Sequence, residues 1–535
     1  MSELRFMTKR RETDREYVSQ REFAELKRAA LETFEQERRE RETKIYEPST
    51  PELTANAARR STVIMLGSRV AVATMGWIGS VLIARAISPE QFGQFSLIFG
   101  LLGLLSVITD LGVGRVVLAK LVESNPWEIS LVTTAFISLR VVLGLLGYIL
   151  AVGYVWLLSY PAEVVEATAV AGLVVVVATP SHALSVMYQS RLKMTYVAVA
   201  EGAGQLAQLI ATIAAVLWQP ILIVFVIPAL INEVVAAAIK IRGVRQGIAG
   251  PLPASRAQFR RWKDMLVEAI PLSIGFAFIT LLSRVDVLML GQLDSFESVG
   301  LYSIGYKFAD LLQIVAITIV TPVTTLLVAS WPDKLDAFRE RSREAFIVLT
   351  VLGGASIAAF WPAAAEVLSL LYGERFTVAG TSTRLLVLGA CFSMLTQLGL
   401  MMLVASGRHR TYPWVALGGL GVNVVLNFVL IPRLSFNGAA LATVLTEILL
   451  FVAMWTVIFR TLPVRKLFPA VPFIATSLVG ALAAITGTLG VERFGIPWPI
   501  VAIVAPVVVI GIFVVLPISG GKPLLSLIKP GGETA

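Results

Sequence analysis

Histidine, cysteine and charge are all scarce in this chain. Two histidines, His182 and His409, and one cysteine, Cys391, occur in 535 residues, and only 15% of the residues are charged. A lone thiol excludes an internal disulfide and any Cys-based metal site. Two isolated histidines leave no His cluster for zinc. The first 60 residues hold no apolar run, so nothing there reads as a secretory leader. Long loops are missing as well. Once the apolar segments are laid out, the longest external connection is about ten residues. That is too short for the external domain with which a membrane glycan polymerase or ligase would hold its acceptor and a catalytic acid or base, so the chain does not read as an enzyme.

What the chain has instead is hydrophobicity. It is 56% hydrophobic, with a mean hydropathy of +0.78, where a soluble domain has about 45–50% apolar residues with Gly included. Fourteen segments are long enough to cross about 30 Å of hydrocarbon. Seven lie at 61–87, 92–118, 130–156, 162–190, 195–218, 221–241 and 264–292. The other seven lie at 300–328, 343–371, 380–405, 411–431, 437–459, 468–489 and 497–519. The fold class is therefore an all-α polytopic membrane protein. With the N-terminus inside, cytoplasmic segments beyond residue 60 carry 21 Lys/Arg, whereas external loops carry only Arg375, Arg433 and Arg493. This places both termini in the cytoplasm.

The expected organisation has five parts. Residues 1–60 form a charged cytoplasmic arm with 14 basic and 13 acidic residues, helical around Phe23, Leu26, Ala30 and Phe34 and broken at "EPSTPELT". Residues 61–241 form a first six-helix bundle, 242–263 a basic cytoplasmic linker, 264–460 a second six-helix bundle, and 461–535 two further helices and a short tail. An internal echo supports the two bundles: "VLIARAISPEQFGQFS" (81–96) aligns with "LMLGQLDSFESVGLYS" (288–303) at an offset of 207, Gly93 falling on Gly300 and Ser96 on Ser303. Parallel halves related by an axis along the membrane normal produce such a pattern.

Four stretches, "ISPEQFGQFSLI" with "ITDLGVG", "DVLMLGQLDSFESVGLYSIGYKFADLL", "ASGRHR" and "IPRLSFNGAALATVLTE", together resemble the polysaccharide-export branch of the multidrug/oligosaccharidyl-lipid/polysaccharide flippase superfamily. Its members include O-antigen and repeat-unit flippases, and its relatives the lipid II flippase and drug-extruding antiporters. The resemblance covers about residues 61–520 and leaves out the charged arm. It implies two bundles around a central cavity. It also implies alternating-access movement of a polyprenyl-diphosphate-linked oligosaccharide from the cytoplasmic to the outer leaflet of the cell membrane, often coupled to H+ or Na+. No cofactor and no nucleic acid enter such a reading. The partners are the lipid-linked oligosaccharide, membrane lipids and, through the arm, glycan-assembly proteins. The alternative is a cation-coupled multidrug antiporter, against which fourteen spans argue because that branch typically has twelve.

Charges inside spans normally face a bundle interior or a watery cavity. Arg69, Asp110, Arg140 and Glu233 share one depth in the inner part of the membrane, on four different segments. In "LLSRVDVLMLGQL" (281–293), Arg284 and Asp286 lie toward the outer end of the seventh span, level with Lys307 and Asp310 on the eighth. The expectation is a cationic lumen of Arg69, Arg140, Arg284 and Lys307 for a pyrophosphate, since the guanidinium fork binds phosphate bidentately. Asp110, Glu233, Asp286 and Asp310 carry a coupling ion or balance those cations. The plainer alternative makes every such pair a salt bridge between neighbouring helices. Glu201 and Glu447 read as buried carboxyls, His182 as a packing position beside Pro180, and Arg85 and Arg384 as interface residues that snorkel.

Overall fold

The computed structural model describes residues 51–123, 126–254, 259–463 and 466–515. The expected arm helix and the start of the turn at 47–54 lie outside these residues. The chain divides into a unit ending at Ile64 and one beginning at Met65, and the contacts below all lie within the second.

Every regular element among the described residues is a helix. In hydrocarbon the backbone must satisfy its own hydrogen bonds, and an apolar helix does so within one segment. The first half comprises α1 (Pro51–Ala86), α2 (Pro89–Asp110), α3 (Val113–Glu123), α4 (Pro126–Leu157), α5 (Ala162–Ser190), α6 (Met194–Trp218) and α7 (Leu222–Arg245). The second comprises α8 (Arg260–Leu282), α9 (Val285–Leu293), α10 (Phe296–Val328), α11 (Leu335–Tyr372), α12 (Gly380–Ala405) and α13 (Tyr412–Thr461). Then follow α14 (Ala470–Phe494) and α15 (Trp498–Val515). Ten helices are long and apolar enough to cross a membrane, and shorter apolar helices lie at Val70–Ala86 and Trp498–Phe513.

The helices depart from the expected segments at three places. Helix α13 has 50 residues, which would make about 75 Å if straight. It is interrupted at Ser435, with φ 54° and ψ −139°. A Cβ on Gly438 would lie 2.3 Å from the carbonyl oxygen of Leu430. Eight residues of straight helix span about 12 Å, so the chain doubles back at Ser435, between the two segments expected there. The expected 92–118 segment is broken into α2 and α3 by Leu111 and Gly112, at φ 41° and 63°. Ser273 of α8 donates a hydrogen bond to the freed carbonyl of Leu111. The expected 264–292 segment is broken into α8 and α9 at Ser283 and Arg284.

The two halves meet through equivalent residues. Ser88 caps α2 by accepting from the amide of Gln91 at 3.1 Å, and Ser295, 207 residues on, caps α10 by accepting from that of Ser298 at 3.2 Å. The two helix starts cross where neither Gly93 nor Gly300 has a side chain. A Cβ on Gly93 would fall 1.6 Å from the Phe296 carbonyl oxygen, and one on Gly300 would fall 2.2 Å from that of Pro89. Phe296 is the counterpart of Pro89 at the same offset, so the contact is reciprocal, as a two-fold relation requires. Arg85 closes the same end further. Its Nε donates to the Leu371 carbonyl at 2.7 Å, and a second nitrogen donates to that of Leu370. These are orphan carbonyls at the C-terminal end of α11. Arg375 returns a 2.6 Å bond to the carbonyl of Arg85. Arg85 thus tethers one half to the other and does not snorkel, and Arg384 likewise turns to the Trp361 carbonyl at 2.7 Å. The appended helix α14 docks on α11 through Gly480, whose Cβ position is 2.9 Å from the Cα of Gly354.

Gly93→Val leaves no room for the α2–α10 crossing. The expected outcome is a wider separation between spin labels at positions 90 and 297 by dipolar EPR, and an unchanged separation would contradict the packing described.

Candidate functional site

Between the halves lies a cavity of about 300 Å³, walled by α1, α2 and α6 on one side and by the α8–α9 break and α10 on the other. This is the small end of the size range of ligand pockets, about 300–1,000 Å³. Non-helical backbone at membrane depth is tolerated where it lines a cavity, and Ser283 and Arg284, the two residues of the break, line this one. Lys307, Tyr306 and Asp310 join them from α10. Among the described residues neither Arg284 nor Lys307 forms a salt bridge or a side-chain hydrogen bond. Both are cations beside an open polar space. Gly103 of α2 leaves room for Arg284, its Cβ position lying 3.6 Å from the guanidinium Nε.

Arg284, Tyr306 and Asp310 also border a second cavity of about 270 Å³ inside the second half, which reaches Asp286 and Glu447. Asp286 is not the ion-pair partner expected for Arg284 or Lys307. It is 3% exposed and held by neutral groups. Tyr302 donates to Oδ2 at 2.8 Å, Thr443 lies 2.9 Å from the same oxygen, and Asn427 donates to Oδ1 at 2.6 Å. Asn423 accepts from Asn427 at 3.0 Å. The Oδ1 of Asn427 is buried without a partner, and Thr443 Oγ1 is 3.0 Å from the Ala439 carbonyl. Here α9, α10 and both arms of α13 converge. The result is one carboxylate among amide, hydroxyl and carbonyl oxygens.

In the first half, Arg140 is placed differently from the expected lumen cation. It is 3% exposed, pairs with Asp110, donates to the Thr109 carbonyl at 2.9 Å and lies over the Phe136 ring at 5.2 Å. The arginine is turned into the wall, and Asp110 is the member left open. Lys240, at the end of the expected 221–241 segment, is a second such case. It is 1% exposed inside α7, with Nζ 3.4 Å from both Ser181 Oγ and Glu201 Oε1. Glu233 is half-buried on the same helix. Arg69 is in α1, and its side chain lies outside the described residues. Sequence reasoning missed Asn423, Asn427, Tyr302 and Thr443. The i,i+4 spacing of the two asparagines within an apolar helix was the available signal.

The profile of the polysaccharide biosynthesis protein family matches residues 58–325 of this chain, half its length. The chain belongs to that family. A second profile, MatE, matches residues 271–429, and both place it in the multidrug/oligosaccharidyl-lipid/polysaccharide superfamily. Among curated relatives, the multidrug resistance protein NorM of Burkholderia vietnamiensis is 30% identical over 216 residues, 37% of this chain and 45% of that one. The match thus spans less than half of that relative. Among solved structures, the lipid II flippase MurJ in an inward closed conformation superposes with a TM-score of 0.67 at 15% identity, covering 85% of this chain and 98% of that one. An inward-facing multidrug resistance MATE family transporter gives 0.60 at 11% identity, covering 77% and 96%. These likenesses show the fold, and this family member is a multi-pass membrane protein.

Because Arg140 is buried and Asp110 exposed, loss of either should have unequal effects. Asp110→Ala strands a buried cation and is expected to cost about 3 kcal/mol, while Arg140→Met leaves Asp110 to solvent and costs less. Thermal unfolding in detergent should rank the two variants in that order.

Proposed function

We propose that the chain moves a polyprenyl-diphosphate-linked oligosaccharide from the cytoplasmic to the outer leaflet by alternating access, with both termini in the cytoplasm. The observation that carries this reading is the pair of unpaired cations, Arg284 and Lys307, beside a cavity between two halves that are closed together at the other end. Asp310 is one acid beside two cations; a diphosphate supplies the remaining charge, and arginine engages it through two parallel N–H donors. Asp310 keeps the site from holding the anion too tightly for release. With the basic loops inside, the Gly93–Gly300 end faces outward and the cavity serves the cytoplasmic side.

Asp286 is the proposed site of the coupling ion. A single carboxylate with Asn427 Oδ1, Thr443 Oγ1 and Asn423 is a hard, oxygen-only set of low charge, which suits Na+ or a proton better than a divalent metal. Its cavity shares a wall with the substrate cavity at Arg284, so ion occupancy and cargo are read by one residue.

Cells lacking the protein should accumulate completed lipid-linked glycan by mass spectrometry and show a bare surface by glycan stain. An unchanged pool with an intact surface favours the antiporter reading that the NorM relative raises. Arg284→Ala and Lys307→Ala should each reduce export by about tenfold or more, the worth of a lost charge-assisted hydrogen bond, with normal membrane insertion on immunoblots. Asp286→Asn should retain residual flipping that no longer responds to the ion gradient.

A further inference from the structure

Under the flippase reading the cargo brings sugars as well as phosphate, and sugars need another kind of wall. A pyranose presents hydroxyl groups around its rim and an apolar C–H face. It is held by aromatic rings, amides and carboxylates, and the first half supplies all three. Phe95 and Phe99 of α2 line the cavity with ring centroids 4.7 Å apart. Gln205 and Gln208 line it from α6.

The same two helix faces continue past the cavity. Positions 201, 205, 208 and 212 lie on one side of α6, and 99, 103, 106 and 110 on one side of α2. They lead to Glu201 and Asp110, the latter in a separate, smaller cavity of about 200 Å³ beside Thr280 of α8 and Arg115 of α3. Each carboxylate has a cation behind it. Asp110 is 64% exposed and its Arg140 only 3%; Glu201 is 52% exposed and its Lys240 only 2%. Removing either acid would strand a buried charge, so each pair leaves its carboxylate as the exposed member. The second half reverses this polarity at the cavity, presenting Arg284 and Lys307, with Asp310 as its one acid.

A ligand is also indicated by two hydroxyls. Ser80 of α1 and Ser303 of α10 line the cavity from opposite sides, each 8% exposed, and neither oxygen has a hydrogen-bond partner among the described residues. Buried hydroxyls normally find one.

We propose that the first-half wall is the sugar subsite of the transporter, and that Asp110 and Glu201 make it select against acidic sugars. The residue next to the diphosphate stacks on Phe95 and Phe99, and its hydroxyls bond Gln205, Gln208 and the two serines. Further units donate to the carboxylates. An ionised carboxylate only accepts hydrogen bonds, so a uronic acid meets like charge at Glu201 and at Asp110, with Arg115 as a cation beside the latter. The cargo is therefore a lipid diphosphate whose first sugars are neutral or amino sugars.

The test uses the full-length purified chain in detergent and three probes: farnesyl diphosphate and two disaccharide conjugates of it, both with N-acetylglucosamine as the first sugar, one carrying N-acetylglucosamine and the other glucuronic acid as the second, named below by that second sugar. The wild type should bind the N-acetylglucosamine conjugate about tenfold more tightly than the glucuronic acid one, a typical penalty for one unfavourable charge contact near a protein surface. Glu201→Gln should shrink that ratio severalfold, and Phe99→Ala should weaken both conjugates relative to farnesyl diphosphate. Each ratio is taken within one variant, so loss of folded protein removes all three signals and cannot imitate a change in selectivity. Equal binding of the two conjugates by the wild type overturns the subsite while leaving the flippase reading intact. Failure to bind farnesyl diphosphate at all overturns both.

Discussion

A charge placed inside a bilayer must find its solvation within the protein, and this structure meets that constraint in three distinct ways. Arg140 and Lys240 are buried behind carboxylates that face outward. Asp286 is enclosed by Tyr302, Asn427 and Thr443, with no salt bridge among the described residues. Arg284 and Lys307 are left unpaired at a cavity wall. Under the proposed function each solution has a different part: a polarised wall, a caged acid, and an anion site. Interior positions for the first two kinds exist because helices pack with small residues and apolar contacts around them. The third exists because α8 breaks just where the cavity begins.

The two-fold relation organises where these solutions fall. Helices α2 and α10 start with equivalent serine caps and cross at equivalent glycines, so one end of the assembly is closed by backbone contact with no side chain intervening. Arg85 and Arg375 add hydrogen bonds to helix-end carbonyls across the same closure. Charges diverge where the backbone repeats: the first half buries cations behind exposed carboxylates, and the second sets Arg284 and Lys307 at the cavity wall. The proposed cargo, with a charged head and a polar glycan, calls for such an asymmetric passage, because its two parts need different surfaces.

Much of this was legible in the sequence. Hydropathy placed the helical segments, and several boundaries agree to within a few residues: 162–190 with α5, 380–405 with α12, and 300–328 with α10. The echo at an offset of 207 residues became a physical contact between Gly93 and Gly300. The breaks at Leu111, Ser283 and Ser435 were illegible because each depends on a tertiary environment, a cavity or a returning helix, that a window of hydropathy does not see. Pairing was the weakest part of the reading. Matching depth suggested that Asp286 would answer Arg284 or Lys307, but depth does not set azimuth. Asp286 points away from α10's charged face into the angle of α13, where Asn423 and Asn427 meet it. Lys240 was hidden for the same reason: it lies at the end of a span, and only packing against Ser181 of α5 and Glu201 of α6 shows it buried.

The central claim, that unpaired cations at the interface carry a lipid diphosphate across the membrane, is tested most directly in proteoliposomes. A fluorescent polyprenyl-diphosphate glycan placed in one leaflet would be followed into the other by a membrane-impermeant quencher. The wild type should move it, and a chain with both Arg284 and Lys307 replaced by alanine should be folded yet lie near the rate of empty vesicles. Equal rates for the two proteins would contradict the account.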